Sequence, residues 1–330
     1  MQRRPTLEDV AERAGVSRAL VSIVMRGVAG ASDDTRERVK RAADDIGYRP
    51  DPRARRLRQH RTKLIGLTFE AGQEFHADLV DGMYVAAEAL DYEVILSAVT
   101  PHRDESRALR TLVDDRCDGL VLIGSQLPAR ELTDLAAKVP LVVVTRRVRG
   151  VDAVRSDDVT GVAAGMDHLL GLGHRRIVYL DGGRAPGAAE RLRGYRRAVK
   201  AAHVPELVRP GGLTEREGAA AAAAMLESPE LPDAVFAFND RCALGVMDVF
   251  IRAGISVPQQ VSVLGFDDSP LAGLAHIQLT TIRQDSASLA AAAMERLVSR
   301  LEGVATEFSA ADIVRRPDLV VRGSTAAPPC

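Results

Sequence analysis

Along the first fifty residues, apolar positions recur every three or four: Leu7, Val10, Ala11 and Ala14, then Leu20, Val21 and Val24. That is the spacing of helices with one buried stripe. Thr6 stands ahead of Glu8 and Asp9, a hydroxyl N-cap followed by acids that favour the positive end of the helix dipole. Gly15 supplies a sharp turn, Val16 an apolar residue to pack inside it, and Ser17 a second cap. Two short helices about a glycine turn form a helix-turn-helix. A third helix is expected, capped by Ser32 or Asp33, carrying Thr35 to Ile46 and closed by Gly47.

Beyond residue 62 the pattern changes. Apolar runs at Leu64–Phe69, Glu93–Ala98, Gly119–Ile123, Leu141–Thr145, Ile177–Leu180, Ala234–Phe238 and Val261–Gly265 read as strands. Between them lie helical stretches such as Asp78–Leu90, Glu105–Asp115, Val159–Leu172, Ala188–Ala202 and Asp240–Ala253. This alternation is that of parallel α/β architecture. The expected fold is an all-α head over 1–50, a linker over 51–62 and an α/β body over 63–330. Open α/β sheets bind ligands beyond their strand C-termini, which makes Phe75 and Arg146, each following a strand, candidate ligand contacts.

Charge sharpens the division. The net charge of −1 argues against a nucleic-acid binder, but it is unevenly spread. Residues 1–62 carry 15 Lys and Arg against 9 Asp and Glu, or +6, leaving −7 for the remainder. A basic head on an acidic body points to a polyanionic partner for the head alone. The linker holds five arginines between Asp51 and Arg61; such a segment repels itself when free and is expected to become helical against phosphates. Its one large apolar residue is Leu57.

The stretches Thr6–Ser17, Val21-Ser22, Thr35–Val39 and Gly47–Pro50 resemble the DNA-binding head of the LacI/GalR family of bacterial transcriptional repressors. The resemblance implies that Arg18, Ala19 and Ile23 read base edges: Arg18 guanine O6 and N7, the two apolar side chains thymine methyls. Thr6, Ser17, Ser22, Thr35 and Tyr48 complete the expected DNA-facing set of the head. Leu20 stands where the family usually has Thr, and Arg26 where it has Asn; Arg26 replaces an amide phosphate contact with a charged one, while Leu20 cannot hydrogen bond. In the linker the resemblance implies a minor-groove hinge helix with Arg53 and Ala54 at the DNA and Leu57 wedged into the central base step.

The body is similar to the family's periplasmic-binding-protein type-I sensor, through Ser156–Gly161, Leu172–Ile177, Phe238–Asp240 and Val263–Asp268. Two lobes are implied, about 63–158 plus the C-terminal strand and about 159–284, with crossings near Asp158, Gln284 and Val321. Arg191 matches the arginine that fixes ligand hydroxyls in sugar-responsive relatives, and Asn239 and Asp267 match cleft-lining polar residues. Asp240 is expected to be a helix cap and His174 a structural turn residue. Leu213 stands where many sugar-binding relatives carry an aromatic.

Other classes fit less well. A transport-type solute-binding protein shares such a body, but the head and the missing signal-peptide pattern argue against it. No Walker lysine, Gly-x-Ser-x-Gly elbow or His-Glu-x-x-His site occurs, so no catalysis, cofactor or metal is expected. Three widely spaced cysteines, Cys117, Cys242 and Cys330, and no apolar run of about 18 residues fit a reducing cytoplasm. The expected partners are a palindromic operator, a small-molecule effector such as a sugar or nucleoside, and a second copy of the chain.

Overall fold

The computed structural model describes residues 5–25, 27–49, 61–304 and 310–328, which divide into two units, 1–62 and 63–330. The first contains helices α1 (Leu7–Ala14), α2 (Arg18–Met25) and α3 (Asp33–Asp45). Thr6 and Asp9 form a reciprocal capping box on α1, and Gly15 ends that helix at φ +63°, a left-handed position that costs glycine nothing. Ser17 Oγ accepts from the Leu20 amide at 3.3 Å to start α2. Ser32 rather than Asp33 caps α3, accepting from the Thr35 amide at 3.4 Å. Val10, Val21, Val24 and Val39 close the small core, and Arg13 ties α1 to α3 through Asp45 at 3.3 Å.

The second unit holds two six-stranded sheets. In the first, β1 (Leu64–Glu70), β2 (Glu93–Val99), β3 (Gly119–Ile123), β4 (Leu141–Val144), β5 (Asp152–Ser156) and β11 (Asp312–Arg315) lie in the order β11-β5-β4-β3-β1-β2, all parallel. Helices α4 (Glu74–Ala89) and α11 (Ser286–Glu302) cover one face; α5 (Glu105–Asp114) and α6 (Ala129–Ala136) cover the other. Along β3, Val121 and Ile123 point to the first face and Leu120 and Leu122 to the second. Burial on both sides is why the strand is apolar throughout.

The second sheet has the order β12-β10-β9-β8-β6-β7. Its strands β6 (Ile177–Asp181), β7 (Leu207–Pro210), β8 (Ala234–Ala237), β9 (Ser262–Asp267) and β10 (Thr280–Arg283) are parallel, and β12 (Asp318–Val320) is antiparallel to β10. Helices α7 (Asp158–Gly171) and α8 (Ala188–Ala202) pack on one side, α9 (Glu215–Leu226) and α10 (Asp240–Arg252) on the other. The short strands β5, β7, β10, β11 and β12 lie outside the spans expected from patterning.

The chain passes between the sheets three times, at Asp157, at Gln284 and at Arg316-Pro317. The last crossing comes before the expected Val321. Asp312–Arg315 pairs with β5 and Asp318–Val320 with β10. The Val263 amide then donates to the Ser324 carbonyl at 2.8 Å, and the Ala326 amide to Ser262 Oγ at 3.1 Å. The chain end therefore belongs to the second lobe as far as Pro328.

Helices α9 and α10 touch through their backbones: a Cβ on Gly245 would lie 2.0 Å from the Glu215 carbonyl oxygen, one on Gly218 2.1 Å from that of Cys242. Gly245→Ala is expected to force these helices apart and destabilise the second unit by about 1–3 kcal/mol. An unchanged urea midpoint would count against this close contact.

Candidate functional site

In the head, Arg18 and Ala19 are exposed at the start of α2, with Ser22 and Ile23 half-buried one turn later. Residues three and four apart share a helix face, so these four form one surface. The first turn of α2 has no acidic residue, in contrast to α1 and α3. Ser17 is exposed beside it. Thr6 and Thr35 are committed to local bonds, Thr6 with Asp9 and Thr35 with Ser32 at 2.9 Å, and Tyr48 packs partly on the head core. Leu20 is half-buried. Arg26, Arg53, Ala54 and Leu57 lie outside the described residues.

In the second unit the strand ends converge on a chamber between the lobes, of about 550 Å³ when counted out to open solvent. Lobe one contributes Phe75, His76, Gln126 and Thr145; lobe two contributes Arg191, Phe238, Asn239 and Asp267, and the crossings contribute Asp158 and Gln284. Arg191 is the centre. Its Nε donates to Asp158 Oδ1 at 2.8 Å and its Nη1 to the Phe238 carbonyl at 2.7 Å, while Nη2 stands 3.9 Å from Asp267 Oδ1. The guanidinium also lies over the rings of Phe266 and Phe238, 3.6 and 4.6 Å from their centroids. Gln284 Nε2 donates to Asp267 Oδ1 at 2.7 Å. Burial pushes the Asp267 carboxyl above the usual carboxylate range, although the Arg191 charge pulls it down. Donors and acceptors alternate along this wall, which suits paired hydroxyls.

Four of the five residues expected around a ligand, Phe75, Arg191, Asn239 and Asp267, line the chamber. Arg146 does not: its two terminal nitrogens donate to the carbonyls of Ser125 and Leu127, each at 3.1 Å, bracing the loop after β3. Asn239, not Asp240, caps α10, its Oδ1 accepting from the Cys242 amide at 2.9 Å. Asp240 is buried beneath, taking the Ser269 amide and the Thr281 hydroxyl. His174 is structural, with Nε2 2.8 Å from the Ala326 carbonyl oxygen.

Sequence patterning missed His76, Gln126, Thr145 and Phe238 as chamber residues, and Asp158 and Gln284 were expected only as crossings. Thr145 has φ +83° and Asp267 φ +122°, strained backbone at the ends of strands in both lobes, such as collects at binding sites. The Thr145 hydroxyl is buried without a protein partner. At the mouth Arg241, in the first turn of α10, donates to the Gly72 carbonyl of lobe one and pairs with Glu215 at 2.8 and 2.5 Å. Among the described residues, no group of three His, Cys, Asp or Glu could hold a metal ion, and no helix is long and apolar enough to cross a membrane.

Residues 6–51 match the family model for bacterial regulatory proteins of the lacI family, and residues 166–325 that for a periplasmic binding protein-like domain. The transcriptional regulator CelR of Thermobifida fusca is 34% identical over 93% of this chain and 94% of its own length. The chain belongs to the LacI family. Among solved structures, a LacI transcriptional regulator from a Rhodococcus species is 44% identical, with a TM-score of 0.77 over 81% of this chain and all of that one. The lac repressor dimer bound to operator and the anti-inducer ONPF is 27% identical, with a TM-score of 0.85 over 98% of this chain and 100% of its own. Like these LacI-family proteins, the chain is a DNA-binding transcriptional regulator.

His76 gives the chamber a pH signature. The Glu70 amide donates to its Nδ1 at 3.2 Å, which requires a neutral ring, and burial lowers its pKa from 6.5 to about 4. The unfolded chain therefore takes up a proton that the folded one refuses between those values. Stability is expected to be full above pH 6.5 and to fall by about 3 kcal/mol as the pH drops to 4. His76→Gln should flatten this part of the profile in chemical denaturation.

Proposed function

We propose that this regulator is a repressor whose operator affinity is set by a hydroxyl-rich small molecule, of the sugar or nucleoside class, held between the lobes. The observation that carries this reading is the buried Arg191 fork, flanked by Asp158, Asp267 and Gln284. A guanidinium, carboxylates and amides at the ends of parallel strands can share the adjacent hydroxyls of a polyol, while Phe75 and Phe238 supply apolar contact. Leu213 stands at the mouth without a ring, so a pyranose would not stack there. The protein acts in the cytoplasm as a binding module rather than an enzyme; its relatives carry the names of regulators.

The working form is a homodimer on a palindromic operator. An operator of two half-sites requires two heads, and the similar lac repressor structure is that of a dimer on its operator. On lobe one, Tyr84 and Val85 of α4, Leu96 of the edge strand β2 and Val113 of α5 are exposed. An apolar, unpaired sheet edge of this kind suits self-association. In the head Arg18, Ala19 and Ile23 read bases, while Ser17, Ser22 and Arg26 hold phosphates. Thr6, Thr35 and Tyr48 orient the helices, and the linker offers Arg53, Ala54 and the Leu57 wedge to the minor groove.

On an operator selected from random DNA, Arg18→Ala is expected to lose about 1–3 kcal/mol of discrimination. Leu57→Ala should weaken operator binding and leave effector binding intact. A thermal-shift screen of sugars and nucleosides is expected to return ligands that stabilise the wild type and change its operator affinity. Arg191→Met should abolish that response while retaining operator binding. A ligand response that survives Arg191→Met would overturn the assignment of the chamber.

A further inference from the structure

Away from the three crossings, one hydrogen bond among the described residues joins the lobes: Arg241 Nη1 donates to the Gly72 carbonyl. Each end of it is firmly mounted. On lobe two, Arg241 lies in the first turn of α10, and its Nε and Nη2 donate to Glu215 Oε1 and Oε2 of α9 at 2.8 and 2.5 Å. A guanidinium held by two parallel bonds has little freedom left, so Nη1 is aimed before it meets lobe one. On lobe one, Gly72 stands in the turn between β1 and α4. The Ala71 amide donates to the Val99 carbonyl and the Gln73 amide to the Glu70 carbonyl, each at 3.1 Å, so this turn moves with its sheet.

Charge adds to this bond. Glu70, at the end of β1, and Glu74, in the first turn of α4, both act on the Arg241 charge from lobe one. Glu74 Oε2 is buried with no hydrogen-bond partner; a nearby cation offsets such burial, and Arg241 supplies it. When the lobes part, Glu215 stays with Arg241, because both belong to lobe two. The guanidinium then keeps its two bonds to Glu215 and gives up only Gly72 and the attraction of the two acids. Opening therefore leaves no unpaired cation in lobe two, which would be far more costly, so the contact can form and release. The Arg241 side chain is 21% exposed and that of Glu215 44%. Counter-ions reach the mouth, and salt weakens the attraction across it.

We propose that Arg241 is a latch that holds the two lobes together before any ligand binds, and that its release sets how often the chamber opens. The latch acts at the mouth, and Arg241 is not among the residues that line the chamber. It works in the same way whatever the chamber holds, so it goes beyond the ligand reading above and does not rest on it.

The test uses the full-length protein without ligand. Spin labels are placed through Arg130→Cys on lobe one and Arg184→Cys on lobe two, both exposed positions. Cys117 and Cys330 are replaced by Ser, and the buried Cys242 is left in place. Labelled protein is diluted with unlabelled protein, so that double electron–electron resonance reads distances within one chain. At low salt the closed distance is expected to dominate. Arg241→Gln should raise the ratio of open to closed about tenfold or more, and Arg241→Lys, which keeps the charge but loses the fork, should fall between. Raising NaCl to about 0.5 M should open the wild type and leave the Arg241→Gln distribution unchanged; a residue that merely packs would not remove the salt response. Retained operator binding reports that each variant folds. A wild type already open at low salt, an Arg241→Gln distribution equal to that of the wild type, or an equal salt response in both overturns the proposal. None of these outcomes bears on what the chamber binds.

Discussion

A guanidinium at 6% exposure is the constraint around which the second unit is arranged. Taking such a charge out of water costs several kcal/mol, roughly, and it persists only with close, well-aimed partners. Arg191 has Asp158 from the first crossing, a carbonyl from the end of β8, Asp267 from the end of β9 and two aromatic faces. Strands β8 and β9 must end at one depth, and α7 must start there too, or the charge is stranded. The same requirement leaves a set of donors and acceptors fixed before any ligand arrives. A ligand then meets preorganised groups and does not have to order them.

Two members of this network, Asp158 and Gln284, stand at crossings between the lobes. A ligand that alters their bonds therefore acts where the lobes hinge, while Arg241 bridges the lobes at the mouth by its bond to Gly72. Such a ligand shifts lobe geometry only to the extent that it binds the two arrangements unequally. Lobe one begins at β1, directly after the arginine-rich linker.

The head follows different physics. Its helices are short, and their order depends on caps and a handful of valines. The first turn of α2 carries no acid, and Arg18 stands exposed at its start. The hydroxyls of Thr6 and Thr35, both expected at DNA, also make hydrogen bonds within the head, with Asp9 and Ser32 at the starts of α1 and α3.

The sequence by itself determined the local and the periodic. Capped helices α1 to α3 and the doubly buried strands β1 and β3 were legible because each depends on neighbours a few residues away or on burial of a whole run. Arg191, Asn239 and Asp267 were legible as cleft residues because they sit in short motifs shared with a known family. Tertiary structure alone decided the rest. Strands β10, β11 and β12 have only three or four residues, too few for a period, and they exist because a distant strand offers an edge. The bracing role of Arg146 depends on carbonyls about twenty residues away. The last crossing fell at Pro317 and not near Val321 because pairing to β5 and β10, not any local signal, chooses where the chain changes lobes.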